Sequence, residues 1–63
     1  MSWQLYEVWA VEEDGHEELI QTTHSLKEAR LIAGNALTDG IIECIIYKDE
    51  DGELFEQEVV VNE

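Results

Sequence analysis

One stretch, Ser25 to Gly40, carries a helix start, a helical apolar stripe and a helix stop in that order, while the residues on either side alternate as strands do. Ser25 followed three residues later by Glu28 has the form of a capping box, in which each side chain satisfies a backbone N–H of the first turn. Leu26, Ala29, Ala33, Ala36 and Leu37 recur at three- and four-residue steps, with Leu31 and Ile32 widening the stripe. Gly40 then supplies the left-handed conformation that ends a helix at low steric cost. A single helix needs an apolar surface to lie on, and only the flanking strands can provide it.

Those strands are legible from residue type. Trp3 to Glu12 is rich in aromatic and β-branched residues and reads as a first strand; Glu13, Asp14 and Gly15 form a turn, and a second strand follows from about Glu17 to Thr23. The inward face of that second strand is ambiguous, because Leu19 and Ile20 are adjacent and so point to opposite sides. After the helix, Ile41 to Lys48 is a dense β-branched run, Asp49 to Gly52 a second acidic turn, and Leu54 to Val61 the returning strand. The expected fold is α+β: a ββαββ chain forming a four-stranded antiparallel sheet in the order 2-1-3-4, with one helix packed on one face. The second and third strands then run the same way, joined across the first by a right-handed crossover. A chain of 63 residues is expected to be one domain, 1–63, near the lower size limit for independent folding. With 44% hydrophobic residues in periodic runs and no proline, disorder is not expected.

Strand faces follow from asking which alternate set is free of charge, since a slip of one residue turns every side chain over. Tyr6, Val8 and Ala10 form such a set in the first strand and Ile42, Cys44 and Ile46 in the third; both should face the helix, joined by Phe55, Val59 and Val61 of the fourth. The opposite face should be polar, because one helix covers only one side of a sheet. Instead it receives Trp3, Leu5, Trp9 and Val11 around Glu7, and Ile41, Ile45 and Tyr47 around Glu43, with Leu54 and Val60 beside Glu56 and Glu58. A contiguous apolar patch on a small protein calls for a cover. Three readings are open: large residues such as Trp3 and Trp9 covering their own sheet, a second layer from another chain, most simply an identical one related by a two-fold axis, or strand faces assigned to the wrong sides. On the second reading Trp3, Leu5, Trp9, Val11, Ile45 and Tyr47 are the partner-binding residues, in a homodimer or on a larger protein.

Charge narrows the partners. Against 16 Asp and Glu stand only 3 Lys and Arg, a formal charge of −13, which disfavours direct nucleic-acid binding and anionic membranes and favours basic partners. No window reaches the ~20 apolar residues of a membrane span and no basic-then-apolar leader opens the sequence, so the expected compartment is cytoplasmic. Eleven of the acids lie in the hairpins, five between Glu12 and Glu18 and six between Asp49 and Glu58. The acidic tips, Glu12, Glu13 and Asp14 against Asp49, Glu50 and Asp51, fall at opposite ends of the sheet. A ten-residue strand spans roughly 33 Å, about one turn of B-DNA. The tips, with Glu7, Glu43, Glu56 and Glu58 between them, could therefore imitate phosphates, as small acidic inhibitors of nucleic-acid enzymes do, among them phage-borne inhibitors of host defence. The plainer reading is that solvated turns collect Asp, Glu and Gly for turn chemistry alone.

Residues for other chemistry are sparse. Asp49, Asp51, Gly52 and Glu53 lack the twelve-residue ligand loop and following helix of a calcium site, so no metal is expected. Cys44 is the single cysteine, set among isoleucines as a buried small hydrophobe, and neither it nor His16 and His24 has zinc spacing. There is no nucleophile elbow, phosphate loop or basic patch; Lys27 and Arg30 are expected on the exposed side of the helix, relieving the negative field. The expectation is a non-enzymatic protein without cofactor that binds another protein, possibly itself, with the acidic decoy as the alternative.

Overall fold

The computed structural model describes residues 4–62. Its elements are β1 (Gln4–Val11), β2 (Glu17–Thr23), α1 (Leu26–Thr38), β3 (Glu43–Glu50) and β4 (Glu53–Val61), and the strands form one antiparallel sheet in the order β2-β1-β3-β4. This is the ββαββ arrangement expected from the sequence. Trp3, expected in the first strand, lies outside the described residues.

The helix begins on side-chain caps and ends on backbone bonds. Ser25 Oγ accepts the Glu28 N–H at 3.3 Å, but the reciprocal arm of the expected capping box comes from Thr23, whose hydroxyl accepts the Ser25 N–H at 3.3 Å. At the other end Gly40 has φ of +112°, and the Gly40 and Ile41 N–H groups donate to Leu37 O and Ala36 O, each at 3.1 Å. This nested pair is a Schellman ending, and it swings Ile41 back onto the core. Ile41 therefore does not join the opposite face, as its place in an unbroken strand would require, and Ile42 is half exposed ahead of β3.

The core lies between α1 and the two central strands. Tyr6 and Val8 from β1, Cys44 and Ile46 from β3, and Ala29, Ala33 and Leu37 from α1 are buried together. Ala29 and Ala33 have no exposed surface, and two alanines at the seam let the helix backbone lie close to the sheet. Leu31, expected to widen the stripe, instead points to solvent and is 60% exposed, since it lies on the far side of the helix from Ala29 and Ala33.

Two bulges decide what the outer strands present. Between β3 and β4, Ile46 pairs with Glu58 and Tyr47 with Glu56, so Gln57 is an extra residue and the alternation of β4 changes sides there. Phe55, opposite Lys48, keeps the expected helix side, but Val59 and Val61, opposite Ile45 and Glu43, lie on the other face. Val60 and Glu58 come to the helix side, the reverse of the expectation; Val60 packs on the core and Glu58 receives Arg30. In β2, Val8 pairs with Gln21 and Trp9 with Leu19, which makes Ile20 the extra residue and settles the ambiguity of that strand.

Candidate interaction face

The outer side of the sheet, away from α1, carries Leu5, Trp9 and Val11 from β1 and Ile45 and Tyr47 from β3, as their alternation with the buried set requires. Cross-strand pairing sets Trp9 beside Ile45, Ile45 beside Val59, and Leu19 beside Trp9. Five of the six residues singled out in the sequence are therefore brought together. Val59, Val61 and Leu19 join them; the first two were assigned to the other side, since a bulge without glycine leaves no mark in the sequence.

The face partly packs on itself. Ile45 is only 9% exposed although no helix covers it, because its neighbours Trp9 and Val59 flank it on both sides. Trp9 and Tyr47 meet edge to face, with ring centroids 6.2 Å apart at 87°, a favoured aromatic geometry. Their polar ends are held by acids: the Trp9 indole N–H donates to Glu7 Oε1 at 3.0 Å and the Tyr47 hydroxyl to Glu17 Oε1 at 3.0 Å. Burial, then the bond to Glu17 and the charges of Glu17 and Glu56, push the Tyr47 phenol above its ordinary pKa. Around this fixed centre the rim is open, with Leu19, Leu54, Val59 and Val61 between 45% and 51% exposed.

The acids are distributed differently from the expectation in one respect. Glu7, Glu43 and Glu56 lie on the outer face, but Glu58 is on the helix side, clamped by Arg30 through Nε at 3.1 Å and a terminal nitrogen at 2.9 Å. Arg30 is thus committed to one carboxylate. The two turns do lie at opposite ends, since Val11 pairs with Glu43 and Gln4 with Glu50. Within them the acids serve the turns: Asp14 Oδ1 accepts the His16 N–H at 2.9 Å and Asp49 Oδ1 the Gly52 N–H at 3.2 Å. Glu12, Glu13, Asp14, Glu50 and Asp51 are exposed, and Lys48 reaches Glu50 at 3.1 Å. Asp51 and Gly52 both take positive φ, as a two-residue hairpin loop requires.

Among the described residues no three His, Cys, Asp or Glu side chains converge as metal ligands would, and no helix is long and apolar enough to cross a membrane. Cys44 is wholly buried, with Sγ 3.9 Å from Ala33 O, and burial followed by the charge of Glu43 pushes its thiol above the ordinary value. The arrangement defines a ββαββ protein with a helix on one side of its sheet and an aromatic-centred apolar face on the other. Comparison with protein-family models, with curated proteins and with solved structures finds no match.

Proposed function

We propose that the protein is a non-enzymatic, cytoplasmic interaction module whose outer sheet face receives another protein, in the simplest case a second copy of itself. The observation that carries this reading is the open apolar rim of Leu19, Leu54, Val59 and Val61 around Trp9, Ile45 and Tyr47 on a face that α1 does not reach. The two longer dimensions of the molecule, 38 and 22 Å, give that face the scale of one side of a standard interface, roughly 800 Å². The aromatic pair at its centre is of the kind that anchors interfaces, already ordered by its bonds to Glu7 and Glu17.

Sedimentation at micromolar concentration tests the self-association version. A dimer that Trp9→Glu and Val59→Lys convert to a folded monomer supports it; a monomer whose tryptophan emission is unchanged on dilution removes it.

A second reading, an acidic decoy occupying a nucleic-acid-binding groove, is favoured by one observation: the acidic turns stand at the two ends of a 38 Å body. Neutralising both turns with Asn and Gln should abolish inhibition by a decoy and leave an apolar interface intact. Charged substitutions on the outer face should do the reverse.

A further inference from the structure

A different surface lies on the helix side, at the open flank of β2. The C-terminal half of α1 stands away from β2 there and leaves a groove of about 400 Å³, with Ala10 among the residues of its wall. Ile20 from the β2 bulge and Ile32 and Ala36 from the helix give it apolar walls, and Glu12, Glu18 and Asp39 supply negative charge. It adjoins a second depression of about 430 Å³, which shares Glu12 and Ile41 with it and adds Glu13, Asp14 and Ile42. None of the cations Lys27, Arg30 and Lys48 lines either.

Three independent features of this place converge. First, β2 is an edge strand of the sheet, so one side of its backbone has no strand beside it among the described residues. Second, the groove runs between that edge strand and a helix, so a chain laid along β2 could place alternate side chains in it. Third, Asp39 occupies the C-cap of α1, where the partial negative charge of the helix end disfavours a carboxylate, and no basic residue stands in the last turn. Asp39 and the helix end thus add to the negative potential at the groove, which a cationic segment would relieve.

We propose that this groove is a second interaction site, which takes a basic extended segment of another protein as an added strand on the β2 edge, with an apolar side chain seated between Ile20 and Ile32. Backbone hydrogen bonds to β2 supply affinity, the groove selects the apolar residue, and lysine or arginine flanking it meets Glu12, Glu18 and Asp39. A second copy of this chain does not suit this groove, because its own edge strands would bring Glu17 and Glu18 of β2 or Glu53, Glu56 and Glu58 of β4 against Glu12, Glu18 and Asp39. The groove opens on the helix side of the sheet, and of the outer-face residues only Leu19 borders it as well.

The test uses the full chain and a fluorescein-labelled heptapeptide of alternating lysine and leucine, read by anisotropy. Saturable binding is expected, weakening as salt rises, and a twin with every backbone amide N-methylated should bind at least roughly tenfold more weakly. Asn35→Trp, which fills the groove from an exposed helical position, should weaken the parent peptide to a similar degree. Glu18→Lys, an exposed change, gives the same readout if the tryptophan variant is poorly folded, and Val59→Glu, on the outer face at the far edge of the sheet, should leave binding unaltered. Absence of saturable binding, equal binding of the methylated twin, full binding by both groove variants, or loss with Val59→Glu would each overturn the proposal. The last outcome would move the peptide to the outer face without touching the self-association result.

Discussion

Gly40 and Tyr47 show how single positions set the limits of this fold. At φ of +112° Gly40 lies where a Cβ meets the neighbouring backbone carbonyl, and nothing else stands within 4 Å of that Cβ, so the penalty of a side chain there is conformational. Gly40→Ala should cost about 1–2 kcal/mol, read as a lower urea midpoint with an unchanged slope. Tyr47 acts through protons. Its pKa and that of Cys44 are raised in the folded state, so the folded chain holds both protons more tightly than the unfolded one. That stability is complete below the ordinary values of 9.0 and 10.0 and is lost as pH climbs through the raised ones. Tyr47→Phe should therefore shrink the loss of stability as pH rises above the ordinary value of 10.0 and leave the pH dependence below it little changed, measured as the shift in denaturation midpoint on either side of that value.

Among the elements, α1 carries the clearest conflict between local preference and sequence. Asp39 at its C-cap opposes the helix dipole, and Asp39→Asn should stabilise the protein by about 0.3–1 kcal/mol in thermal or urea denaturation, while weakening the basic peptide. The strand order, the helix with its glycine stop and the inward set of Tyr6, Val8, Cys44 and Ile46 were readable because each rests on a period or a cap that residue types report directly. The faces of the edge strands were not. Gln57 and Ile20 are extra residues of ordinary type, and a bulge at either exchanges the two sides of the remaining strand, which is why Val59 and Val61 came to the outer face and Glu58 to Arg30. Ile42 was misread because the Schellman turn delays the strand to Glu43. The groove beside β2 was hidden for the same reason, as it depends on the bulge at Ile20 and on how far the helix end stands from the sheet.

On the scale of the whole molecule, charge and shape act together. A body of 38 by 22 by 16 Å carrying −13 repels itself, and folding brings those charges closer than the unfolded chain does. Raising sodium chloride from about 0.01 M to about 0.5 M should raise Tm by screening that repulsion, and across the same range should weaken any complex with a basic partner. The alanine seam of Ala29 and Ala33 has a consequence of its own. By drawing the helix down onto the sheet it makes a slab so thin that each core side chain has solvent only one layer away in some direction. The depressions beside β2 and Ile41 are accordingly open to the surface. On the proposed reading, recognition uses only the skin of such a body, and substitutions at the rim and the groove can alter it while Val8, Cys44 and Ile46 hold the architecture unchanged.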